Sequence, residues 1–164
     1  MKPSHRALLA LVLSVLLVAG CAGNKSRKEA AAVPPPAAAA EALDFTLAGD
    51  ALFAFGRSGI EDIAPEGRAQ LDEFARKLQG APYGLVRVIG HSDRIGDARA
   101  NLRLSEKRAR AVLDYLVQAG VPADKIISSG RGSAQPVAAC ESERGDALKA
   151  CLAPNRRVEV LVEP

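Results

Sequence analysis

Aromatic residues are scarce in this chain, and tryptophan is absent: Phe, Tyr and Trp together make up 4% of its 164 residues. A core must then be built from Leu, Val, Ile and Ala. Histidine is equally thin, with only His5 and His91, too few ligands for a metal site of the usual His/Cys type. The cysteines lack the Cys-x-x-Cys spacing of a redox pair. Gly130-Arg131-Gly132-Ser133 lacks the Lys-Ser/Thr ending of a phosphate loop and reads as a turn. The net charge of +3 is too small to argue for nucleic acid. No internal repeat is visible, and no cofactor motif stands out. What is present is ordinary for a folding chain, 48% apolar and 25% charged residues.

The longest apolar run, Ala7 to Ala19, follows a short basic start with Lys2 and Arg6. It is shorter than the roughly 20 residues of a membrane-spanning helix and suits the apolar region of a signal peptide. The run ends in Val18-Ala19-Gly20-Cys21, which resembles a bacterial lipobox. That resemblance implies cleavage before Cys21 and acylation of its thiol and amine; the alternative is an ordinary cleaved leader. Two or three acyl chains, at about 0.8 kcal/mol per buried CH₂, hold a protein stably on a bilayer. Ala22 after the lipobox resembles the pattern sorted to the outer membrane. Cys140 and Cys151 remain as an even pair in an exported chain, and an oxidising periplasm favours a disulfide between them, the alternative being two free thiols.

Three segments follow. Residues 1–20 read as the lipoprotein signal peptide. Residues 21–43 carry the lipidated Cys21 and a tether rich in Ala and Pro, stiffened by Pro34-Pro35-Pro36. At about 3.1 Å per residue, such a tether reaches roughly 70 Å when extended. Residues 44–164 read as one globular domain. Asp44 to Phe55 reads as a strand, strongest at Ala51 to Phe55, with Gly49 marking a bend. Pro65 and Gly80 bracket a helix with Leu71, Phe74, Ala75 and Leu78 on one face. Leu85 to Gly90 is a short buried strand. A second helix ends at Gly120, with Ala109, Val112, Leu113, Leu116 and Val117 inward. Asp124 to Ser129 and Arg157 to Glu163 complete the strands, Val158, Val160 and Val162 sharing one face of the last. Alternating strands and helices place the domain in the α/β or α+β class, helices packed on one mixed sheet.

Chemistry concentrates between Gly90 and Leu116. On a helix, Asn101, Ser105 and Arg108 fall at i, i+4 and i+7 and share a face beside the buried stripe. Asp93 lies just past the end of a strand, in a loop leading to that helix, a common place for a ligand. One carboxylate and one guanidinium at the same corner suit a zwitterion: the first attracts an ammonium, and the planar fork grips a carboxylate with two hydrogen bonds. The alternative is a structural ion pair tying loop to helix, worth about 0–1 kcal/mol if exposed.

The segment resembles the OmpA-like peptidoglycan-binding domain family. The matching residues are Gly90-His91-Ser92-Asp93, Gly96, Asn101, Leu104-Ser105, Arg108-Ala109, Gly130, Gly132, Pro136 and Asn155-Arg156-Arg157-Val158. The likeness runs from about Phe45 to Glu163. It implies an α+β sandwich of β-α-β-α-β-β order, a mixed four-stranded sheet with helices on one face. The start FTLAGDALFAF and the Cys140–Cys151 pair look like the C-terminal domains of the OmpA branch; the lipobox and tether are similar in layout to the Pal branch. The implied ligand is the diaminopimelate of the peptidoglycan stem peptide, whose side-chain end is a zwitterion. By position, Asp93 takes the ammonium and Arg108 the carboxylate. Asn101 holds the loop or touches ligand, Leu104 and Ser105 present backbone, and Arg157 flanks the pocket. The Phe55-Gly56-Arg57-Ser58 loop forms the opposite wall, where Gly56 replaces the Asp or Asn of many members.

The implied function is non-covalent tethering of the outer membrane to the cell wall by a lipid-anchored protein facing the periplasm, with no catalysis, cofactor or metal. A hydrolase built on His91, Ser92 and Asp93 is disfavoured because consecutive side chains alternate in direction along extended chain. The competing reading is an envelope adaptor whose domain chiefly binds a periplasmic protein.

Overall fold

The computed structural model describes residues 44–53 and 56–164. The leader, Cys21, the tether and Phe55 lie outside the described residues. Four strands form one sheet in the order β1-β4-β2-β3: β1 (Phe45–Ala48), β2 (Leu85–Gly90), β3 (Ile126–Gly130) and β4 (Arg157–Glu163). β2 and β3 run parallel, as a helical crossover requires. β4 enters between β1 and β2, antiparallel to both. The helices are α1 (Gly49–Leu52), α2 (Pro65–Gln79), α3 (Ala98–Gln118) and α4 (Gly145–Cys151).

Local chemistry accounts for the long helices. Pro65 occupies the first turn of α2, where its missing N–H costs nothing, and Gly80 caps the other end. Asp97 caps α3 by accepting the Ala100 N–H at 2.8 Å. Both turn their apolar stripes to the sheet: Leu71, Phe74, Ala75 and Leu78 from α2, and Ala109, Val112, Leu113 and Leu116 from α3, meet Val86, Val88, Ile126, Val158 and Val160. The Phe45 and Phe74 rings stack at 5.7 Å between centroids. Thr46, Arg87 and Ile127 on the other face are exposed, so helices cover one side of the sheet.

Two expectations need correction, and one element was not expected. The first strand is Phe45–Ala48, and Ala51 and Leu52 are helical. Gly49 is the cause: its N–H donates to the Arg156 carbonyl at 2.6 Å. A Cβ there would lie 2.6 Å from that same oxygen. The chain turns into α1 against the start of β4 because only glycine permits the approach. The third strand begins at Ile126, Ala123–Lys125 forming a 3₁₀ turn, and extends through Gly130 rather than turning there. Finally, α4 was not anticipated. Its seven residues include none that is buried, so no periodicity betrays it.

Cys140 and Cys151 form a disulfide, 11 positions apart. By chain entropy a loop of this size is worth about 3 kcal/mol. Urea denaturation with and without reductant is expected to show a loss near that size, with α2 and α3 still helical by circular dichroism below the transition. An unchanged midpoint would mean the loop is equally restrained without the bond.

Candidate functional site

The end of β2, the start of α3, α1 and the α4 region enclose a cavity of about 490 Å³. Gly90 ends β2 directly under α3, where a Cβ would collide with the Ser105 carbonyl. This close approach holds the loop after β2 against the first turns of α3. Asn101 secures it further, its Nδ2 donating to the carbonyls of Asp93 (3.2 Å) and Ile95 (2.9 Å). Within that loop, Asp93 Oδ1 accepts the Ile95 N–H at 2.9 Å, which aims the carboxylate into the cavity.

Asp93 is not alone there. Its Oδ2 accepts from Arg156 Nη1 at 2.8 Å, and Arg156 also grips Asp50 with Nε and Nη2 at 2.9 and 2.6 Å. The hydrogen bond from Arg156 holds the Asp50 carboxyl below its usual range, against the opposing effect of burial. The same two carboxylates, Asp50 first, raise the Arg156 guanidinium above its ordinary value. Two carboxylates around one guanidinium leave one negative charge in excess.

Arg108 stands differently. It is 4% exposed, and its Nε donates to the Arg57 carbonyl at 3.1 Å. Its guanidinium lies 5.4 Å from the centre of the Phe53 ring. Among the described residues, its two Nη groups have no hydrogen-bond partner, and no carboxylate lies within ion-pair distance. Burial disfavours its charge, an effect Asp50 partly offsets, Arg156 reinforces and Asp93 again opposes. A buried, largely unpaired guanidinium is costly unless something anionic joins it.

The structure brings Asp93, Asn101, Leu104, Arg108 and Gly56 to the same cavity. Ser105 lies beneath it, fully buried, its Oγ donating to the Leu102 carbonyl at 2.7 Å and accepting the Gly132 N–H at 2.9 Å. Arg157 does not line the cavity: its Nε bonds Glu159 at 2.7 Å and its Nη groups reach the Gln135 carbonyl. Neighbouring residues at a strand's start point opposite ways, so the cavity receives Arg156 instead. Asp50, Arg156 and Lys149 went unassigned in the sequence reading. The Asn155-Arg156-Arg157-Val158 motif carried a signal for Arg156, whereas Asp50 was hidden in an apparent strand and Lys149 in a stretch given no element.

His91, Ser92 and Asp93 form no triad. Ser92 Oγ donates to the Asp93 carbonyl at 3.1 Å, while His91 Nε2 faces Glu159 at 3.4 Å. Cys140, Glu143 and Cys151 lie together like metal ligands, but the disulfide occupies both sulfurs.

His91 supplies a pH dependence. Among the described residues neither ring nitrogen has a hydrogen-bond partner, and burial, then Arg157, push its pKa below 6.5; Glu159 opposes them and Arg131 adds to them. The unfolded chain therefore binds the proton first. Stability from this residue is complete above pH 6.5 and is lost as pH falls from there through the lower folded value. Urea midpoints between pH 7.5 and 5.5 are expected to fall, and His91→Gln is expected to flatten that slope. Equal slopes in both proteins would assign the effect to other groups.

A mixed sheet of this order, helices on one face, and a charged cavity where β2 meets α3 define an OmpA-like α+β domain. The chain belongs to the OmpA family, whose sequence profile matches residues 52–149. Outer membrane protein A of Serratia odorifera is 46% identical over 125 residues, covering 73% of this chain and 50% of the relative. That of Escherichia coli O157:H7 is 44% identical over 124 residues, 73% of this chain and 35% of the relative. The chain thus spans a third to a half of the length of these relatives. The cell wall anchor of the T6SS from Pseudomonas aeruginosa superposes with a TM-score of 0.60 at 33% identity, covering 73% of this chain and 80% of that one. The peptidoglycan-associated lipoprotein of Burkholderia pseudomallei gives 0.57 at 26% identity, over 69% and 88%.

Proposed function

We propose that this protein binds peptidoglycan non-covalently through the diaminopimelate of the stem peptide, and that Cys21, lipidated, anchors it to the outer membrane facing the periplasm. The observation that carries the reading is the Arg108 guanidinium, without a carboxylate partner among the described residues, sharing one cavity with the net-negative Asp50–Arg156–Asp93 cluster. A zwitterion answers both: its carboxylate meets the Arg108 fork, and its ammonium meets Asp93 and Asp50. Free lone pairs on the two carboxylates allow that second contact while Arg156 stays in place. The wall anchor and the peptidoglycan-associated lipoprotein among the structural neighbours support this assignment. For the anchor, the support is the lipobox ending in Cys21. No helix among the described residues is long and apolar enough to cross a membrane.

The test is co-sedimentation with purified sacculi. Residues 44–164 are expected to pellet, and Asp93→Asn, which keeps the hydrogen-bonding shape but removes the charge, is expected to weaken binding tenfold or more. In cells, the full chain is expected to fractionate with outer membranes and Cys21→Ser to be released into the periplasm. A wild-type domain that stays in solution would overturn the wall-binding reading and favour the adaptor.

A further inference from the structure

The cavity holds more positive charge than a zwitterion needs. Its ionised side chains are Asp50, Asp93, Arg108, Lys149 and Arg156, three cations against two carboxylates. Arg156 is committed to both carboxylates, and a ligand carboxylate on Arg108 leaves Lys149 as the one lining cation without a partner inside the cavity, its ammonium meeting Asp146 outside the lining. Once Lys149 exchanges Asp146 for the ligand, one ammonium and two carboxylates balance the lining charges, whereas a single carboxylate does not.

Lys149 is also held in place. α4 ends at Cys151, which the disulfide ties to Cys140. On the other side of the loop, Arg94 donates to the carbonyls of Ala139 (3.0 Å) and Cys140 (2.8 Å). The Lys149 carbonyl itself accepts from Arg156 Nη1 at 3.2 Å, which links its backbone to the carboxylate cluster. Its Nζ has one partner, Asp146 at 2.9 Å, but the side chains of this pair are 65% and 96% exposed. Such a pair is weak and easily exchanged, so the ammonium is free to turn into the cavity.

We propose that Lys149 is a specificity residue that reads a second ligand carboxylate, so that the cavity prefers stem peptides with a free carboxylate beyond the diaminopimelate zwitterion. This rests on the peptidoglycan reading above. In a stem peptide that carboxylate comes from the neighbouring γ-linked glutamyl residue or from the chain end, and amidation of either removes its charge.

The experiment is calorimetric titration of the full chain in detergent at low salt. The ligands are a diaminopimelate-containing stem tripeptide, the same peptide amidated at its glutamyl carboxylate, and the same peptide amidated at its terminal carboxylate. Wild type is expected to favour the free peptide over one amidated form by about twofold to fivefold, the worth of an exposed ion pair. The form that loses affinity identifies the source of the carboxylate. The preference is expected to shrink in high salt. Lys149→Met is expected to abolish it, and Lys149→Arg to restore it. Equal affinity of wild type for all three peptides, or an undiminished preference in Lys149→Met, would overturn the role of Lys149 and leave wall binding standing. Wild type that binds none of the peptides would overturn the peptidoglycan reading and this inference together.

Discussion

Arg108→Ala is expected to weaken sacculus binding about 30-fold or more and to leave the domain folded. Truncating one partner of a buried charge pair costs about 2 kcal/mol or more, and each 1.4 kcal/mol is tenfold in affinity. Among the described residues, by contrast, the guanidinium makes one hydrogen bond, to the Arg57 carbonyl, and a contact with the Phe53 ring. Its removal relieves a desolvated charge while losing those two contacts, so the opposing effects on stability are comparable. Arg108→Lys discriminates further. An ammonium keeps the charge but cannot present two parallel donors, and if the fork is what recognises the ligand, this variant is expected to fall well short of wild type. Co-sedimentation across salt concentrations measures both. Full binding by Arg108→Lys would make charge alone sufficient. Full binding by Arg108→Ala would remove Arg108 from the site.

The largest effect on folding is expected at Gly90, where alanine should cost about 3 kcal/mol or more. An added Cβ would overlap the Ser105 carbonyl oxygen and lie 2.9 Å from its carbon. Both parties are backbone, one in β2 and one in α3, so no side-chain rotation removes the clash. The helix would have to lift from the sheet over the buried Val88 and Ala109. Because α3 also carries Asn101 and Arg108, any protein that still folds is expected to lose wall binding as well. Gly80→Ala is the control: a Cβ there meets nothing closer than 3.6 Å, and its stability should be near that of wild type. Urea midpoints for the two variants measure the difference. Equal midpoints would mean that α3 shifts at little cost.

The boundaries of β2 and β4, the caps of α2 and the buried faces of both long helices were legible in the chain itself. Each depends on neighbours a few residues apart: alternation along a strand, an i, i+3, i+4 stripe on a helix, a proline at a start and a glycine at a stop. The positions of Asp93, Asn101, Leu104 and Arg108 on one cavity were legible for a similar reason, since all belong to one strand–loop–helix segment. The rest of the site depends on contacts that no local pattern encodes. Asp50 and Arg156 are 106 positions apart, and Arg156 and Asp93 are 63 apart. Which of two adjacent arginines faces the cavity turned on a single residue of strand phase, enough to exchange the two sides. The helical turn at Gly49 depended on the carbonyl of Arg156, brought there only when β4 inserts between β1 and β2. Local periodicity reports which face of an element is buried, and that much the sequence determined by itself. Which charges meet across the buried faces was decided only when the sheet closed, because the partners come from opposite ends of the domain.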